Sequence, residues 1–133
     1  MQADNDNERL VLKFFETLSA GDYDSVKAMF HPEATWTVMA QGIPGSGVHK
    51  GVNTIVDEFM MPIRQGLFED NDPKILADSI CSKGSLVAME SRGVGRMKSG
   101  KNYHNLYAWF VEIKDGKVFA IREYMDSQYV TTL

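Results

Sequence analysis

The order of its patterns predicts an α+β chain: three amphipathic helical stretches come first, and everything after Lys74 reads as strand. The hairpin signal is just as plain. Asp115-Gly116 stands between two runs rich in β-branched and aromatic residues, the strongest short-range mark of a β-hairpin. Three helices cannot cover both faces of so long a sheet. The expectation is therefore a curved antiparallel sheet wrapped over three N-terminal helices, a cone with a cavity at its open end. At 133 residues, the chain suits one domain, residues 1–133, built on one core.

The elements follow in order. Asp4 to Asn7 offer N-cap residues, and Glu8 puts negative charge in the first turn. Leu10, Val11, Phe14, Phe15 and Leu18 then recur at helical spacing until Gly21. Asp22 caps a shorter helix with Tyr23, Val26, Met29 and Phe30 inward, and His31-Pro32 is expected to stop it. Glu33 to Met39 reads as a strand with Trp36 and Val38 on one face. Ala40 to Gly51, rich in glycine, reads as a mobile connection. It has neither the Gly-Lys-Ser/Thr end of a P-loop nor the context of a dinucleotide fingerprint. Val52, Ile55, Val56, Phe59, Met60 and Ile63 predict a third helix, bent at Pro62 and ended by Gly66. Ile75–Ser82 and Leu86–Arg96 are strands joined by Lys83-Gly84, and Lys98-Ser99-Gly100 turns the chain into the hairpin.

Composition removes several classes of function. Apolar residues are 44% and charged residues 24%, ordinary for a soluble domain. A net charge of −4 without Lys/Arg clusters leaves no footprint for nucleic acid. A lone Cys81 speaks against disulfides and cysteine-rich zinc sites, and His31, His49 and His104 lack metal-ligand spacing. No metal and no cofactor are expected. No apolar run approaches the roughly 18 residues of a membrane span, and the polar start does not resemble a signal peptide. A cytoplasmic protein without a membrane partner is expected.

The chemistry is sought at the end of the chain. At period 2, Phe119, Ile121, Glu123 and Met125 share one face, and Val118, Ala120, Arg122, Tyr124 and Asp126 the other. A carboxylate on an apolar face is paired, protonated or lining a cavity, unless it is simply solvated near a strand end. Two hairpin registers are open. A two-residue turn sets Asn105 opposite Asp126 and Tyr107 opposite Tyr124, whereas a bulge at Gly116 sets Asn105 opposite Met125 and Tyr107 opposite Glu123. On the preceding strand Glu90 and Arg92 share a face, as an acid–base pair of the site or as a surface ion pair worth ~0–1 kcal/mol.

Several motifs carry a resemblance. Leu10, Phe14 and Leu18 with Gly21-Asp22-Tyr23-Asp24, Phe30-His31-Pro32-Glu33-Ala34 and the closing Asp115-Gly116-Lys117-Val118 with Arg122-Glu123-Tyr124-Met125-Asp126 resemble the nuclear transport factor 2-like superfamily. Within it the chain resembles SnoaL-like polyketide cyclases and ketosteroid-isomerase-like proteins. The resemblance implies a pocket for a small, largely apolar, oxygen-bearing molecule and proton transfer beside a carbonyl, giving isomerisation, cyclisation or dehydration. Glu123 is then the expected general base. Tyr107 and Asn105 donate to the oxygen, and Arg92 orients an acid or binds an acidic group. Trp36, Val38, Glu90, Trp109, Ile121 and Met125 are the expected lining. The stretch Arg122 to Asp126 is also similar to the Arg-Asp-Tyr-Phe-Asp of limonene epoxide hydrolases, which implies an epoxide hydrolase-like alternative. Trp36 and Val38 stand where those enzymes hold water with Tyr and Asn. A third alternative is a non-catalytic ligand-binding or dimerisation module with Glu90, Arg92 and Glu123 in an ion network. A homodimer through the convex face, which carries Phe110 and Tyr124, is expected in each case.

Overall fold

Asn5 starts the fold. Its side chain accepts the Glu8 N–H at 2.9 Å, and the Glu8 carboxylate accepts from the Asn5 amide, capping α1 (Asp6–Ser19). Glu8 also accepts from the Ser82 hydroxyl at 2.5 Å, which pins the start of the helix to β3 (Lys74–Lys83). Val11, Phe14, Phe15 and Leu18 turn inward from α1, and Val26 from α2 (Tyr23–Met29). The computed structural model describes residues 1–133. No helix is long and apolar enough to cross a membrane.

The remaining elements are β1 (Phe30–Val38), β2 (Gly47–Lys50), α3 (Met61–Leu67), β4 (Leu86–Arg96), β5 (Asn102–Lys114), β6 (Lys117–Met125) and α4 (Ser127–Val130). The strands form one six-stranded curved sheet in the order β2-β1-β6-β5-β4-β3. The four strands after the helices pair antiparallel in chain order, as the sequence predicts. Parallel pairing of β1 with β6 places Val38 beside Glu123.

The local expectations are met in part. The glycine-rich Ala40–Gly51 stretch is not wholly loop, because β2 pairs with β1. The second helix ends directly before His31-Pro32, with Phe30 as its C-cap. That helix stops at Met29, and Pro32 falls in an irregular part of the β1–β6 ladder, where its missing N–H costs no bond. The third helical region is not a simple α-helix bent at Pro62. A π-helical stretch, Thr54–Met60, runs without a break into α3, with the Met61 N–H reaching back to the Val56 carbonyl. Pro62 offers no N–H, and the wider turn before it relieves the clash of its ring with the preceding turn.

The hairpin takes neither of the two registers. Asp115 and Gly116 both have positive φ, 53° and 70°, and make a tight two-residue turn with Lys114 opposite Lys117. The ladder then shifts by one residue between Glu112 and Ile113, leaving Phe119 as the extra residue of a bulge. Tyr107 therefore faces Met125, and Trp109 faces Glu123. The bulge also overturns the alternation expected at the start of β6. Val118 is fully buried, while Phe119 packs edge-on against His31 outside the core. Beyond the bulge, Ile121, Glu123 and Met125 keep the predicted common face.

Candidate active site

Glu123 sits in the middle of the sheet, flanked by Val38 on β1 and Trp109 on β5, and all three side chains turn to the concave face. Only 8% of the residue is exposed. Its Oε1 accepts the indole N–H of Trp36 at 2.8 Å, the one side-chain hydrogen bond made to this carboxylate, and no cation pairs with it. Burial raises its pKa from 4.5 to about 7, against the smaller opposing effect of the Trp36 hydrogen bond.

The carboxylate opens onto an apolar cavity of about 150 Å³ in the mouth of the cone. Trp36, Val38, Tyr107, Trp109 and Met125 line it. Tyr107 stacks on Trp109, with ring centroids 5.2 Å apart and planes 9° from parallel. Its ring lies across Gly93 on β4, where a Cβ would come within 2.6 Å of Tyr107 Cε1. The Trp109 indole N–H donates to Ser91 Oγ at 2.8 Å, which holds the wall in place.

A second polar feature shares this cavity lining with Glu123. The Tyr107 and Tyr103 hydroxyls are 2.5 Å apart, and the Asn105 amide donates to the Tyr103 oxygen at 3.0 Å. When Tyr103 donates onward, the Tyr107 proton is free for a ligand in the cavity. Burial raises both phenol pKa values, so both stay protonated at neutral pH.

Other expectations fail on geometry. Asn105 is 1% exposed but does not line the cavity. Its amide is spent on Tyr103 and on the Asp126 carbonyl, so it holds Tyr103 and does not touch a ligand. Ile121 is wholly buried beneath the site as core, outside the lining. Glu90 and Arg92 are not in the site at all. They point to the convex face, where Arg92 pairs with Asp78 at 3.0 Å and Glu90 accepts from Ser79 at 2.8 Å. The reason is the pleat. Ser91 and Gly93 turn inward on β4, so their neighbours turn out. The expected ion network of Glu90, Arg92 and Glu123 does not exist.

Tyr103 escaped the sequence reading, although it shares the odd-numbered face of β5 with Asn105 and Tyr107. Period 2 alone would have found it. Arg64 escaped for a better reason. It lies at the cavity floor, 5% exposed, and donates to Tyr23 Oη, the Leu18 and Pro73 carbonyls and the Asn71 carbonyl, with no acidic partner. Its acceptors come from α1, α2 and the loop before β3, none of which is legible from the helix that bears it. The cation caps the carbonyl end of α1, where positive charge is favourable. No cluster of His, Cys, Asp or Glu is arranged to hold a metal ion.

Among curated proteins, none matches the sequence significantly. Solved structures are similar in fold. An NTF2-like protein of unknown function from Burkholderia pseudomallei K96243 has a TM-score of 0.86 at 14% identity, over 97% of each chain. TerC, co-crystallised with polyporic acid, has a TM-score of 0.82 at 16% identity, over 97% of this chain and 98% of that one. A protein from Jannaschia sp. CCS1, named for a SnoaL-like polyketide cyclase, has a TM-score of 0.79 at 16% identity, over 99% and 96%. At such identities the likeness is one of fold. The family rests on the sequence itself: the SnoaL-like domain profile matches residues 11–121, and the chain belongs to the SnoaL-like family.

Proposed function

We propose that this protein binds a small, largely apolar, oxygen-bearing molecule and transfers a proton beside its carbonyl, as a cytoplasmic isomerase, cyclase or dehydratase. One observation carries the reading: Glu123 meets an apolar cavity with a single neutral donor and no countercharge. A carboxylate with its pKa near 7 is matched to general-base work at neutral pH. Glu123 takes a proton from the carbon next to the carbonyl, and the C–H electron pair moves onto the carbonyl oxygen. Tyr107 donates a hydrogen bond to that oxygen as charge develops, and Tyr103 and Asn105 hold Tyr107 in place. Glu123 then returns the proton to another carbon, or the enolate expels a leaving group. The polyketide cyclase name of one fold relative supports the substrate class.

The test is Glu123→Gln, assayed on small enones and polyketide-like ketones. The amide is nearly isosteric and still accepts the Trp36 N–H, so fold and ligand binding should persist. Turnover should fall at least ~100-fold. Unchanged turnover would remove Glu123 as base. A non-catalytic binder would instead turn over nothing before or after the change.

The convex face supports the proposed homodimer. Leu106, Tyr124 and Leu76 are 59%, 41% and 40% exposed on it, and Phe110 packs edge-on against Tyr124. Light scattering at micromolar concentration should give twice the chain mass. Leu106→Lys with Tyr124→Lys should return a folded monomer.

A further inference from the structure

β6 does not simply end at Met125. Asp126 caps α4 by accepting the Tyr129 N–H at 3.1 Å, and the chain folds back over the open end of the cone. Polar bonds sew this segment to the first residues of β5 and the turn before it. Tyr129 Oη accepts the His104 N–H at 3.0 Å and donates to the Asn102 carbonyl at 3.3 Å, and Lys101 Nζ donates to the Thr132 carbonyl at 3.1 Å. The result turns Val130 and Leu133 into the cavity, across from Ile43 and Ile63. No residue of α4 is itself buried. The segment therefore narrows the mouth of the cavity without belonging to the core, and such segments open at low cost.

The space left beneath it is small. A cavity of about 150 Å³ is the size that holds a benzene. A ligand of two or more fused rings would have to displace Val130 and Leu133 or leave part of itself in water.

We infer that the segment Asp126–Leu133 is the size filter of the cavity, confining its ligand to single-ring dimensions with an acceptor oxygen directed at Tyr107. This rests on the reading of the cavity as the substrate site and names the substrate class for it. The polar stitches hold the filter shut, and the two apolar side chains set its limit.

Calorimetry with three phenolic probes tests it: phenol, 2-naphthol and the four-ring estradiol. In an unrestricted apolar cavity the larger probes bind more tightly, because they bury more apolar area. The filter predicts the reverse order, with phenol tightest by at least ~10-fold, the cost of overfilling a packed site. Val130→Ala with Leu133→Ala should raise the affinity for naphthol relative to that for phenol at least ~10-fold. Tyr129→Phe, which removes two stitches and keeps the apolar lining, should shift the order the same way by a smaller factor. Naphthol binding more tightly than phenol in the unaltered protein would overturn the inference. So would an unchanged order in both variants, or no binding by any probe. Binding is read without turnover, so a protein that sorts the probes this way but catalyses nothing keeps the filter and loses the proposed chemistry.

Discussion

Glu123 and Glu112 stand on neighbouring strands of one sheet, yet they face opposite surroundings. On the convex side Glu112 pairs with Arg122 at 2.5 Å, and Arg92 pairs with Asp78 elsewhere on that face, both pairs partly exposed to water. On the concave side Glu123 has an indole N–H, two flanking apolar residues and a cavity. Burial lifts the pKa of Glu123 to about 7. Charges that neutralise one another in water leave little over for chemistry. A charge kept dry and unpaired is costly to hold, and that cost makes it reactive toward a proton. The sheet thus separates two uses of acidic residues by one step of the pleat.

The comparison can be broken at its most extreme member. The folded pKa of Glu123 lies above its unfolded value, so the folded state binds the extra proton. Its stabilising effect is complete below about pH 4.5 and is lost as pH rises through about 7. A shift from 4.5 to about 7 corresponds to roughly 3 kcal/mol. Chemical denaturation from pH 5 to pH 8 should show the unaltered protein losing stability on that order, with Glu123→Gln nearly flat over the same range. Parallel pH profiles would mean that burial does not hold Glu123 toward its protonated form.

The wall beside Glu123 allows a finer test. Gly93→Ala places a Cβ 2.6 Å from Tyr107 Cε1 and forces the ring off its stack with Trp109. The expected loss is about 1–3 kcal/mol in denaturation, with a fall in kcat larger than any change in KM. A shift in KM alone would make Tyr107 a lining residue and not a donor.

The smallest effect belongs to the convex side. Arg92→Ala should change stability by only ~0–1 kcal/mol, because its pair with Asp78 is wet. Turnover and its pH dependence should not move. A large effect on turnover would mean that the two faces are coupled, and the separation drawn between them would fail.

How far the site was legible follows from the same division. Period 2 put Glu123 with Met125 on one face of β6 and Tyr107 with Trp109 on one face of β5, but the register that joins those two faces stayed open. It read Glu90 and Arg92 as a same-side pair correctly, but it could not say which side. Nothing within β4 distinguishes Leu86, Ala88 and Val94 from Val87 and Met89 as the inward set.

By itself the sequence determined the first two helices, β1, the four strands from β3 to β6, their chain order and the candidate base, since these depend on local periodicity and short turns. The register of β5 on β6 was decided elsewhere. The bulge at Phe119 is stabilised by packing on His31, a residue far back in the chain, and the hairpin holds no record of that contact. Only the tertiary structure joined Trp36 to Glu123 across 87 positions and gathered Arg64 with the Leu18, Pro73 and Asn71 carbonyls. It alone drew the last residues over the cavity. Long-range pairs of this kind depend on where the sheet's curvature brings separate segments together, and curvature is a property of the assembled sheet and of no one strand within it.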